Sequence, residues 1–237
     1  MTRRAELAAR LEAVEQQIAQ ACAAAGRERD EITLVAITKT YPASDVALLA
    51  DLGVTDVGEN RHPEARDKLE EFEQLLPAGA APPRMHFVGG LQTNKAGAVA
   101  RYADVVHSVD RPKLARSLAR GAEAAGRVLD CLVQIDFGGD DAGRAGVLPE
   151  GVDDLADLIA ASDSLRLRGV MTVAPLGQDP EPHFAHLAEI AERIRTRHET
   201  ADIISAGMSG DFAAAVRHGA THLRIGRSIL GERPPLQ

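Results

Sequence analysis

Lys39 is the residue of this 237-residue sequence best placed to do chemistry. It closes the apolar run "LVAIT" (34–38) just before "TYP", in a chain whose 27 basic residues include only four lysines, Lys39, Lys68, Lys95 and Lys113. Arginine supplies the positive charge elsewhere. Arginine keeps its proton throughout the physiological range, whereas a partly buried lysine can lose it and become a nucleophilic amine. A lysine at a strand end also pairs readily with a carboxylate, and Glu59 on a neighbouring strand is a candidate partner.

Far along the chain, "SAGMSGD" (205–211) supplies Ser205, Gly207, Ser209 and Gly210 before a helix starting near Asp211. "RIGRS" (224–228) then supplies Gly226, Arg227 and Ser228 before a short last helix. Glycines let an anion approach backbone N–H groups, serines donate hydroxyls, and a helix N-terminus adds a favourable dipole. The same residue types also serve as ordinary helix caps and turns. An amine opposite an anion cradle suits a Schiff base to an aldehyde that carries a phosphate, and pyridoxal 5'-phosphate (PLP) is such an aldehyde. Arg224 stands two residues before Gly226, on the same side of its strand as the phosphate loop. Facing a pyridine nitrogen, its permanent charge keeps that nitrogen unprotonated and weakens the cofactor as an electron sink. A salt bridge to an acid on strand seven or one is the alternative for Arg224.

These groups meet only if the chain folds to bring strand ends together. Eight short apolar runs recur, at 32–38, 55–58, 85–89, 104–109, 128–137, 165–173, 201–207 and 221–226, with helical stretches between them. Ser44 or Asp45 can cap the first of these helices, Pro63 suits the first turn of the second, and Asp110 with Pro112 opens the fourth. Phe184, Leu187, Ile190 and Ile194 form one face of the sixth. An extra amphipathic helix over residues 2–25 precedes the repeats, with Leu7, Leu11, Val14, Ile18 and Cys22 on its stripe and Gly26 as its stop. Eight strand-helix units predict a (β/α)8 TIM-type barrel in a single domain over 1–237. A doubly wound open sheet competes, but "TKTYPASD" after the first strand lacks the Gly-rich dinucleotide turn. In a barrel the active site lies at the C-terminal strand ends, which here carry Lys39, Glu59, Asn60, "GGLQTNK", Asp136, Met171, Thr172 and the two glycine-serine loops.

The net charge of -8 argues against nucleic acid as a main partner, since a basic face is needed to displace phosphate counterions. No apolar run is long enough to span a bilayer, and "MTRRAELAARLEAVEQQ" has the pattern of a charged helix rather than a signal peptide. The two cysteines, Cys22 and Cys131, lack any CxxC or Cys/His cluster, so no metal site is expected and a cytoplasmic setting with reduced thiols is.

Taken together, "TKT" at Lys39, "VGEN" (57–60), "HFVGGLQTNK" (86–95), "GMSGD" (207–211) and "RIGRSILG" (224–231) resemble the pyridoxal phosphate homeostasis proteins. The resemblance implies a single barrel of PLP fold type III, similar to the N-terminal domain of alanine racemase. It makes Lys39 the Schiff-base lysine and Arg224 the partner of the pyridine nitrogen. It assigns Ser205, Met208, Ser209, Gly226 and Arg227 to the phosphate, and Asn60 to the cofactor ring. Val57 and Arg61 stand where that family commonly has an aromatic and a tyrosine, Gly90 replaces a proline, Gly210 an aspartate and Arg227 a threonine, and Arg144 falls where a loop lysine is common.

The function implied is intracellular PLP homeostasis, with PLP held on Lys39 and no evident catalysis, and a monomer is the default because the sequence offers no symmetric interface. Its partners would be PLP, amino acids and PLP-dependent apoenzymes. A PLP-dependent amino-acid racemase is the alternative, and it needs a second acid/base on the opposite face of the substrate carbon. In alanine racemases that group is a tyrosine from a C-terminal β-domain of the partner subunit, which this chain is expected to lack. Of its two tyrosines, Tyr41 can reach the mouth and Tyr102 is expected on an outer helix. A cofactor-free Schiff-base aldolase acting on a sugar phosphate is a third candidate.

Overall fold

The apolar runs become eight parallel strands that close in sequence order, β1 through β8, with β8 paired back on β1. The computed structural model describes residues 1–76, 81–138, 145–175 and 177–232. The strands are β1 (Thr33–Ile37), β2 (Asp56–Glu59), β3 (Arg84–Phe87), β4 (Val105–Val109), β5 (Leu129–Ile135), β6 (Leu165–Thr172), β7 (Ile203–Ser205) and β8 (His222–Ile225). Strands covered on both faces read as continuous apolar runs rather than alternating ones, and all seven residues of β5 are buried.

Nine helices occur among the described residues: α1 (Arg3–Ala24), α2 (Ala43–Asp51), α3 (Glu64–Leu75), α4 (Ala96–Val99), α5 (Pro112–Ala124), α6 (Val152–Ala160), α7 (Glu181–Arg197), α8 (Phe212–Arg217) and α9 (Arg227–Leu230). The stripe expected on α1 is buried at Leu7, Val14, Ile18 and Cys22, and packs against α8 and α9 outside the repeats. Thr2 caps this helix by accepting from the Ala5 N–H at 3.3 Å. Arg3 then reaches Asp45 of α2, with Nη2 2.6 Å from Oδ2, and donates to the Leu230 carbonyl of α9 at 3.0 Å. One side chain therefore fastens the added helix across the seam where β1 meets β8.

That contact also changes the role of Asp45. α2 starts at Ala43 with Pro42 before it, so Ser44 and Asp45 lie inside the first turn and neither caps it. α5 likewise opens on Pro112, with Asp110 paired to Arg111 instead of capping.

The core has two parts. A large apolar layer lies between strands and helices, built from residues such as Phe72, Phe87, Leu118, Ile159 and Phe184. Val105, Leu132, Met171 and Ile203 form a separate buried cluster on the opposite side of their strands, which is the barrel interior. Polar side chains share that interior: Asp56, His86, His107, Ser205, His222 and Arg224 are all buried. Barrel interiors are normally filled by branched aliphatics.

Candidate functional site

Lys39, Asn60, Met208, Ser209, Arg224, Gly226 and Arg227 line one cavity of about 610 Å³ at the C-terminal end of the barrel. Cavities that take small ligands run from about 300 to 1,000 Å³, so the space suits a molecule of cofactor size. Ile37, Val88, Val173 and Ala174 add apolar walls, and Gln178 and Asp211 add polar ones. The strand that carries Lys39 is buried through Thr38, while Lys39 itself is half-buried where the chain leaves the sheet.

The glycine-serine loops sit across the mouth. Gly207 has φ +91, and a Cβ there would lie 2.8 Å from the Ala215 Cβ and 2.9 Å from the Phe212 Cα, so only glycine lets this turn lie flat on α8. Asp211 precedes α8 and accepts the Met208 N–H on Oδ1 at 2.6 Å, which closes the loop on itself. Gly226 brings the backbone close to β1, since a Cβ would lie 3.1 Å from the Ile37 carbonyl oxygen. Arg227 and Ser228 open α9, where the first N–H groups have no intrahelical acceptor.

Arg224 is buried at 5% exposure yet reaches the cavity wall. Its Nη1 donates to Ser205 Oγ at 2.6 Å and its Nη2 to the Thr172 carbonyl at 2.8 Å. Neither partner is a carboxylate, so the salt bridge weighed for Arg224 is not what holds it. Burial pushes its pKa down to about 10, against the opposing charge of Asp211, so it stays protonated at neutral pH. Ser205 does not line the cavity. It is fully buried, and its hydroxyl lies between Arg224 and His107 Nδ1, the latter 2.9 Å away. The geometry therefore sets Ser205 behind Arg224, not on the anion loop.

Other candidates also find different places. Glu59 receives Lys68 Nζ from α3 at 2.5 Å and the Thr38 hydroxyl at 2.7 Å, both on Oε1. Tyr41 is buried, donates its hydroxyl to the Gly231 carbonyl at 2.6 Å, and is not among the residues that line the cavity. Tyr41→Phe is therefore expected to lower stability by about 1 kcal/mol, read by chemical denaturation. Tyr102 lies in the turn after α4 and stacks on His62. Thr93–Lys95 forms a single 3-10 turn behind Gln92, and none of these four residues lines the cavity; neither do Val57, Arg61, Asp136 or Met171. Arg144 lies outside the described residues.

The residues that sequence reasoning missed are Asp56, His86 and His107, whose side chains meet inside the barrel. Their signal was present as polar residues within runs read as buried strands. Burial pushes His107 well below 6.5 and His222 to about 4. Both are neutral when folded, while in the unfolded chain they take up protons below about pH 6.5. Between pH 6.5 and 4 the unfolded chain thus binds more protons, so stability falls as pH falls. The expected loss from pH 7.5 to pH 5 is about 2 kcal/mol per histidine, measured as a lower melting temperature that recovers on returning to neutral pH.

Among the described residues no helix is long and apolar enough to cross a membrane, and no cluster of His, Cys, Asp or Glu could hold a metal ion. Cys22 and Cys131 are buried free thiols, both pushed up by burial.

The model of the family described as alanine racemase, N-terminal domain, matches residues 9–234. The chain is 40% identical to the pyridoxal phosphate homeostasis protein of Mycobacterium tuberculosis, covering 98% of this chain and 94% of that protein. It is 35% identical to the pyridoxal phosphate homeostasis protein of Escherichia coli, covering 96% and 97%. Among solved structures it is similar to PipY of Synechococcus elongatus, determined with PLP bound, at a TM-score of 0.81 and 28% identity over 95% of this chain and 100% of that one.

Proposed function

This chain belongs to the alanine racemase N-terminal domain family and, within it, to the pyridoxal phosphate homeostasis proteins, and from that premise we propose that it binds PLP and serves intracellular PLP homeostasis. The observation that carries this is the meeting of a lysine amine, two glycine-serine loops and a buried arginine around one cavity. These groups fit the chemistry of an aldehyde phosphate with a ring nitrogen.

Lys39 is the amine that holds the aldehyde carbon as a Schiff base. Met208, Ser209, Gly226 and Arg227 receive the phosphate, the last two through backbone N–H groups, and Asn60 contacts the ring. Arg224 donates to the ring nitrogen and, being protonated, disfavours a second positive charge there. Bound PLP supplies an electrophilic aldehyde and a conjugated ring that can accept electrons. With Arg224 opposing ring protonation and Tyr41 tied to Gly231, this site favours holding the cofactor over turning over a substrate.

The protein acts as one barrel domain and as a monomer in the cytoplasm, where buried reduced cysteines are at home. PLP-dependent apoenzymes are the partners that would receive the cofactor, and amino acids are the small molecules that could draw it off Lys39. Titration of the purified protein with PLP, followed by absorbance, is expected to give a saturable visible band. Failure to take up PLP would sink the proposal. Racemisation of any amino acid by the loaded protein would overturn its non-catalytic part.

A further inference from the structure

We propose that Asp56, His86, His107 and Ser205 form a hydrogen-bonded chain through the barrel interior that positions the Arg224 guanidinium and, through it, tunes PLP bound in the cavity. This rests on the PLP-binding function above and extends it to residues that do not line the cavity.

The links are continuous. Asp56 Oδ1 lies 2.8 Å from His86 Nε2, and His86 Nδ1 lies 2.8 Å from His107 Nε2. His107 Nδ1 lies 2.9 Å from Ser205 Oγ, which accepts from Arg224 Nη1 at 2.6 Å. His86, His107 and Ser205 are fully buried, and Asp56 and Arg224 nearly so. Ser108 Oγ is the only buried side-chain polar atom without a partner among the described residues, so every atom of the chain is engaged.

Donor counting gives the chain one direction. An ionised Asp56 only accepts, so His86 carries its hydrogen on Nε2 and accepts on Nδ1. His107 must then donate from Nε2, which leaves Nδ1 to accept the Ser205 hydroxyl. Ser205 Oγ is thereby free to accept from Arg224, and every N–H or O–H donates towards Asp56. Reversing the histidines would make Ser205 Oγ accept from both His107 and Arg224, and its own hydrogen would then have no acceptor that the contacts provide. His222 stands beside the chain, its ring 6.1 Å from that of His86 and its Nδ1 3.0 Å from the Thr221 hydroxyl.

This direction matters to Arg224, whose two direct acceptors are neutral. A hydroxyl that donates to imidazole is a better acceptor, and hydrogen bonds in series polarise one another. The carboxylate of Asp56 thus acts on the guanidinium through three intervening side chains. With Thr172 holding Nη2, the plane of the guanidinium is fixed, and its remaining donors are left for the cavity it lines. Asp56 is a positioning residue, since it begins β2 at the barrel end away from Lys39 and Asn60.

The test uses the full-length protein loaded with PLP. Asp56→Asn keeps the side-chain shape and removes the charge. It is expected to displace the visible band of bound PLP and to raise the PLP dissociation constant on the order of tenfold. Ser205→Ala should displace the band in the same sense, and the double variant should go no further than Ser205→Ala alone, because the two changes cut one chain. A cooperatively melting Asp56→Asn protein with the wild-type band and affinity would overturn the inference, as would a displacement seen only in Ser205→Ala. Should Asp56→Asn not fold, 15N NMR of histidine-labelled wild-type protein decides. His86 and His107 both protonated on Nε2 alone is the expected result, and any other state of either ring overturns the chain. Wild-type protein that takes up no PLP would sink the PLP-binding function instead, and the NMR result would still judge the chain on its own.

Discussion

Lys39→Ala is expected to abolish the visible band of bound PLP and to weaken PLP retention on the order of a hundredfold or more, a loss that equilibrium dialysis would read. The size follows from what the side chain supplies. Lys39 lines the cavity where β1 ends and is half-buried there, so shortening it leaves the packed strand below it intact. On the proposed binding mode, its loss would remove the covalent link and leave Arg224 and the loops at 207–211 and 226–227 to hold the phosphate and ring by hydrogen bonds alone. Lys39→Arg should fail in the same way, because a guanidinium retains its proton and cannot act as the amine. An alanine variant with the wild-type band would place the Schiff base elsewhere.

Gly169→Ala, by contrast, is expected to cost the fold more than about 3 kcal/mol, enough to leave much of the protein insoluble. Gly169 lies in β6 with φ +138, where an L side chain is strained whatever the space. Here there is no space either: a Cβ would fall 1.9 Å from the carbonyl oxygen of Ile203, its partner on β7. The obstacle is backbone, so no rotamer change relieves it. The pairing of β5 with β6 already shifts register between Cys131 and Leu132, opposite this glycine, and β7 has only three residues with which to bridge β6 and β8. Arg168→Ala next to it is the control. It removes a pair with Asp202 at 2.8 Å and a looser one with Asp130 at 3.5 Å, worth about 0–1 kcal/mol. Urea denaturation of the soluble fractions separates the two outcomes.

The barrel could be read from the sequence because parallel strands covered on both faces leave apolar runs, and each of the eight runs falls on one strand, with β2 and β3 each reaching one residue beyond its run. Lys39 and Arg224 were legible for a different reason: one is a rare residue type in its setting, and the other sits two places before a glycine on a short strand. Partners set by a third element were not legible. Glu59 is taken by Lys68, whose helix lies after it, and Asp45 by Arg3, whose helix lies before the first strand. Ser205 shows the limit most clearly. Its loop reads as an anion cradle, but its hydroxyl turns into the barrel, where His107 on β4 waits for it. That meeting depends on the register of β4, β7 and β8 around a closed barrel, and local spacing carries no record of it. The motif also hid a distinction within itself, since Met208 and Ser209 line the cavity and Ser205 does not.

The most direct test of the account is borohydride reduction of the PLP-loaded protein, followed by peptide mass mapping. Only four lysines can carry the product, and each lies in a separate stretch of sequence. A pyridoxyl-phosphate mass is expected on the peptide that contains Lys39, at close to one per chain. The same mass on Lys68, Lys95 or Lys113 in its place, or no mass on any of them, would contradict it.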